Sequence, residues 1–99
     1  MNKEELTAAA KLRIRKMSAD ILDDDVGQLV NVALADLKRI GVDSSYLNEA
    51  EIKDPLIIEA VLLYCKANFG TPDNQEKLVA AYDMMCTKIK GGGYHRKVN

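Results

Sequence analysis

Asp54-Pro55 opens a run from Leu56 to Phe69 in which only Glu59, Lys66 and Asn68 are strongly polar, and Gly70 closes it. The aspartate is placed to accept the orphan backbone N–H groups of a helix start, and proline in the first turn has no needed donor to lose. A helix of that length rises about 21 Å, and one that is apolar on most sides is stable only when other elements cover it. Whatever this chain folds into is therefore built around residues 56–69.

The covering elements are also helical. Across 99 residues, 47% of them hydrophobic, apolar positions recur at helical spacing and no segment alternates as a strand would. The reading is all-α: one small antiparallel bundle of about four helices over residues 1–90, with a flexible Gly-rich tail over 91–99. A chain this long supports one core and not two. The first helix is predicted over Lys3–Lys16, with Leu6, Ala10, Ile14 and Met17 in a narrow stripe. Asp23, Asp24 and Asp25 lead into a second helix, one of them capping it; Val26, Leu29, Val30, Ala33, Leu37 and Ile40 share a face, and Gly41 ends it in a left-handed turn. Val42–Lys53 reads as a linker with a short turn near Ser45–Asn48. Gly70-Thr71-Pro72-Asp73-Asn74 is a dense turn signal, with Asp73 or Asn74 capping a fourth helix whose stripe is Leu78, Tyr82, Met85 and Ile89. Of the third helix, Val61 and Leu63 are taken as core.

Charge and composition exclude several functions. Fourteen basic against fifteen acidic residues leave a net charge of -1, which offers no global attraction to phosphate backbones. No apolar run reaches the roughly 18 to 20 residues of a membrane span, and the first seventeen residues scatter Lys and Glu where a signal peptide would be continuous. Cys65 and Cys86 lie far apart beside a single histidine, so a metal site and a disulfide are both unexpected and reduced, packed thiols are expected. Asp20, Asp23, Asp24 and Asp25 lack the alternating ligands, central glycine and twelfth-position glutamate of a calcium loop. No dinucleotide fingerprint, P-loop, zinc-protease motif or nucleophile elbow occurs. No cofactor and no enzymatic activity are expected.

Two groups of residues remain as candidate contact sites. Lys11, Arg13, Arg15 and Lys16 form a basic end on the first helix, suited to a partner's acidic patch or to DNA phosphates, and equally to compensating the helix dipole. Beyond Gly91-Gly92-Gly93, the segment Tyr94, His95, Arg96, Lys97 and Val98 combines an aromatic ring, cations and one apolar residue, a composition able to order against a partner.

The order of motifs resembles the head-tail connector (adaptor, DNA-packaging) family of long-tailed phages and prophages. The resemblance runs from about residue 3 to 90. It is carried by Leu6 with Lys11-Leu12-Arg13-Ile14, Gly41, Asp54-Pro55-Leu56-Ile57, Leu63-Tyr64-Cys65-Lys66-Ala67-Asn68-Phe69-Gly70, Asn74 and Tyr82-Asp83-Met84-Met85. Cys65 departs from the family's usual aliphatic residue, and the variable C-terminal segment transfers no role. The resemblance implies a structural virion protein, a homo-oligomeric ring of about twelve subunits meeting through unlike faces. Its implied partners are the portal protein and a tail or stopper protein, with DNA passing through the channel without sequence-specific binding and no membrane contact. The implied location is the head-tail junction, after residence in the host cytoplasm. A small helical DNA-binding regulator or DNA-packaging accessory protein is the alternative.

Overall fold

The computed structural model describes residues 1–14, 23–70 and 72–94. Four helices follow one another, α1 (Lys3–Ile14), α2 (Asp23–Arg39), α3 (Pro55–Asn68) and α4 (Gln75–Gly91), with a single 3-10 turn at Ser44–Tyr46 between α2 and α3. Among the described residues there is no strand.

Each helix begins and ends for a local reason. Asn2 Oδ1 accepts from the Glu5 backbone N–H at 2.8 Å while Glu5 Oε1 accepts from the Asn2 N–H at 3.0 Å. This reciprocal capping box starts α1 and was not among the sequence expectations, although an Asn three residues before a Glu carries its signature. Asp23, Asp24 and Asp25 occupy the first turn of α2, where negative charge suits the dipole. Gly41 has φ 105°, the left-handed turn expected after α2. Asp54 caps α3, its Oδ1 accepting from the backbone N–H groups of Leu56 at 2.9 Å and Ile57 at 3.3 Å. Asn74 sits at the cap position of α4 without a side-chain cap bond; instead the Gln75 side chain donates to the Ala67 carbonyl at 3.0 Å, tying the start of α4 to the end of α3.

α3 packs against each of the other three helices, as its apolar circumference requires. Ile57, Ala60, Val61, Leu62 and Cys65 are buried in the common core. Leu63, expected there, is only partly buried and Leu62 takes the interior place. With neighbours covering most but not all of α3, the residue one step around the helix decides which leucine faces in. The buried face of α2 is likewise wider than its predicted stripe: Leu34 joins Val26, Val30, Ala33 and Leu37, while Leu29 and Ile40 are partly buried. On α4, Cys86 replaces Met85 beside Leu78, Tyr82 and Ile89. The connection from α2 to α3 contributes to the core as well, through Val42 and the fully buried Ile52. Ile52 is held there because its N–H donates to the Met1 carbonyl at 2.6 Å, with the Lys3 N–H donating to Glu49 alongside at 3.0 Å. Met17, the last residue of the predicted first stripe, lies outside the described residues.

Candidate assembly surfaces

The apolar stripe Leu6, Ala10 and Ile14 seats α1 against α2 and α3, and a charged residue flanks it on either side. Lys11 Nζ reaches Asp23 Oδ1 at 2.5 Å, at the start of α2. Arg13 forms a two-pronged pair with Glu59 of α3, Nη1 to Oε1 and Nη2 to Oε2, each at 2.8 Å. The guanidinium holds the Glu59 carboxyl below the usual carboxylate range through that hydrogen bond. Both pairs are partly exposed, so each adds little to stability; their geometric effect is to fix α1 in rotation over the groove between its two supports. The sequence reading left Lys11 and Arg13 open as a contact face or as charges compensating the helix dipole. The structure instead engages both with acids of the same chain, because folding brings Asp23 and Glu59 within reach. Arg15 and Lys16 lie outside the described residues.

At the opposite end of the molecule α4 runs through Gly91, and Tyr94 folds back. Its hydroxyl donates to Asp54 Oδ2 at 2.8 Å, its ring meets that of Tyr46 with centroids 5.0 Å apart, and its carbonyl accepts from the Asp43 N–H at 2.7 Å. The carboxylate that caps α3 through one oxygen thus grips the C-terminal segment through the other. Tyr94 was expected in a free tail; it is partly buried against the chain's own core, over Ile40, Val42 and Ile89. Its partners come from residues 43–54, forty or more positions earlier, which no local pattern announces. His95, Arg96, Lys97 and Val98 lie outside the described residues.

The remaining polar cluster is structural in character. Tyr82 on α4 donates to Asp36 on α2, Arg39 donates to the other Asp36 oxygen, and Tyr64 meets Tyr82 edge-on at 5.2 Å. Cys65 and Cys86 are free and buried. Burial pushes the Cys65 thiol up to about 12 and raises that of Cys86, so both stay protonated at neutral pH and are poor nucleophiles.

The outward faces are a different matter. Met84 on α4 is 64% exposed, Leu12 on α1 64% and Val32 on α2 48%. Between α1 and α2 lies an open groove of about 830 Å³, bordered by Lys3, Lys11, Asp23 and Asp24. Among the described residues no buried polar side-chain atom lacks a hydrogen-bond partner, and a few apolar residues stand on the outer faces of the helices.

The family model for phage connector protein matches residues 8–91, from the second turn of α1 to the last residue of α4, and the chain belongs to that family. It is a structural connector protein of a phage, and the family places it in the virion. No curated protein matches the chain, and no solved structure does. No helix among the described residues is long and apolar enough to cross a membrane.

Proposed function

We propose that the protein is one subunit of a ring of identical copies that sits beneath the portal of a DNA-filled head, joins it to the tail or stopper protein, and prolongs the DNA channel. The observation that carries this reading is family membership over residues 8–91, from the second turn of α1 through α4. A ring of about twelve copies is the family's usual number, and closure requires two unlike faces on each subunit. Candidate faces are the outward sides of α1 and α2 and the side of α4 that carries the exposed Glu76, Lys77, Asp83 and Lys88. Passage of DNA without sequence-specific binding accords with the net charge of -1 and with the pairing of Lys11 and Arg13 to acids of the same chain. That pairing also gives the regulator alternative no basic patch among these two residues.

His95, Arg96, Lys97 and Val98 are the proposed docking segment toward the portal or a neighbouring subunit, with Tyr94 as the anchor from which they depart. Ordering them costs about 1 to 2 kcal/mol per residue, a cost that many copies in one ring offset by acting together.

Electron microscopy of the protein mixed with portal-bearing capsids tests the reading. Ring density at the portal vertex is expected. Bare portals, together with salt-dependent DNA binding by the free protein, would replace the connector ring with the DNA-binding alternative.

A further inference from the structure

Three glycines follow one another at the end of α4, and the fold uses them differently. Gly91 is the last residue of the helix, and a Cβ there would meet nothing within 4 Å. At Gly92 a Cβ would stand 3.0 Å from the Tyr94 ring and 3.1 Å from the Lys88 carbonyl, closer than side chains ordinarily pack. Gly93 has φ 83°, in the left-handed region that glycine enters without steric cost. The last two glycines are therefore fitted to one conformation, a turn that folds the Tyr94 ring back against the end of α4.

The turn reaches a seat that receives it. Tyr94 borders a pocket with Ile40, Val42 and Ile89. Its carbonyl accepts from the Asp43 N–H, its ring meets that of Tyr46, and its hydroxyl donates to Asp54 Oδ2. Asp54 Oδ1 is occupied by the α3 cap, so the two oxygens of one carboxylate serve two tasks. The connection from α2 to α3 that carries this seat is itself anchored, because the Ile52 N–H donates to the Met1 carbonyl and the Lys3 N–H to that of Glu49.

We propose that residues 91–94 are a strap, closed over the α2–α3 connection with Asp54 as its catch, and that closure fixes the place from which residues 95–98 leave the bundle. With the strap closed the chain departs beside Asp43 and Tyr46; with it open the chain would swing from the end of α4 on three glycines. A fixed point of departure spares a docking segment part of the conformational entropy lost when it orders on a partner. The inference rests on the docking role proposed above for His95, Arg96, Lys97 and Val98, and makes that role depend on a device inside the bundle.

Full-length variants test it. Gly93→Val disfavours the turn while keeping Tyr94 and everything beyond it. Asp54→Ser keeps a capping oxygen for α3 and removes the second oxygen that Tyr94 uses. Gly91→Ala is the control, at the glycine the turn does not require. Unchanged helix content by circular dichroism establishes that each variant folds. Closure is read by hydrogen exchange at the Asp43 amide, with the Ile52 amide, bonded to Met1, as internal reference. Docking is read by co-sedimentation with portal-bearing capsids. Gly93→Val and Asp54→Ser are expected to speed exchange at Asp43 by about tenfold or more, to leave Ile52 unchanged and to weaken attachment by about tenfold, with Gly91→Ala matching the unsubstituted protein in both. Unchanged exchange at Asp43 in Gly93→Val overturns the strap, and faster exchange with full-strength attachment overturns its positioning role. Deletion of residues 95–99 separates the two readings. Full attachment by that truncation, or none by the unsubstituted protein, overturns the docking segment and the strap's role with it. Lost attachment by the truncation alongside full attachment by Gly93→Val overturns the strap's role alone.

Discussion

Tyr82 and Asp36, forty-six residues apart, share a 2.6 Å hydrogen bond in which the hydroxyl on α4 donates to the carboxylate on α2. It is a polar tie between two helices whose main support is α3. Asp36 also receives Arg39, so its carboxylate stays ionised, held below its ordinary value chiefly by the Tyr82 hydroxyl. Tyr82→Phe is expected to cost about 1.5 to 3 kcal/mol at neutral pH, the size of a hydrogen bond to a charged group, measured by urea denaturation.

The same bond has a pH signature. A carboxyl whose folded pKa is depressed stabilises the fold fully above its unfolded pKa, about 3.9 for Asp, and loses that contribution as pH falls through the folded value. Asp36 and Glu59 are both of this kind, the latter through Arg13. Stability is therefore expected to decline from about pH 5 downward, and Tyr82→Phe to make that decline shallower, because its Asp36 has less to lose on protonation. Denaturation midpoints at several pH values check this; parallel curves for the two proteins would remove Asp36 as a source of the slope.

Burial on α3 separates positions that composition does not. Ile57 and Val61 are fully buried, while Leu63 is partly exposed. Ile57→Ala is expected to cost about 2 to 5 kcal/mol and Val61→Ala somewhat less, through lost burial and a residual cavity. Leu63→Ala should cost less than Ile57→Ala, and a ranking with Leu63 first would mean that α3 is rotated from its described position.

The C-terminal end divides at Tyr94. Because Tyr94 is hydrogen-bonded to Asp54 and meets the Tyr46 ring at a tilt, deletion of residues 91–99 is expected to lower the thermal midpoint by several degrees, whereas deletion of 95–99 should leave it almost unchanged. Asp54→Ala removes the α3 cap and the Tyr94 acceptor together, and is expected to cost about 1 to 3 kcal/mol, more than a cap alone. Scanning calorimetry of the three variants orders them; equal midpoints for the two truncations would show that Tyr94 contributes nothing.

Gly27→Ala is expected to raise stability by about 0.5 to 1 kcal/mol, because α2 gains helix propensity and the added methyl meets nothing within 4 Å. A loss of stability on chemical denaturation would mean that α2 needs glycine for its own packing.

Much of this architecture is legible from local pattern, and the exceptions share a cause. The α3 start at Asp54-Pro55, the left-handed Gly41 and the turn after Gly70 each depend on a few adjacent residues, and each stands where it was predicted. The pairing of Lys11 with Asp23 and of Arg13 with Glu59 was not legible, since a sequence shows charges but not which acids folding will bring beside them. Tyr94 was read as part of a loose tail, since three glycines impose no conformation and its partners Asp43, Tyr46 and Asp54 are remote in the chain.

A helical bundle organised around residues 56–69 can be read directly from the chain, because helix periodicity, capping and glycine turns act over a few residues and are written in order. The chain also carries the family pattern, which survives as motifs in series. Which side chains the fold engages and which it leaves exposed is settled by packing between helices remote in the chain. That division depends on how the helices turn about their axes when α1 and α4 settle on α3: the turn that sends Arg13 to Glu59 and Tyr82 to Asp36 also leaves Gly27 open and Met84 outside.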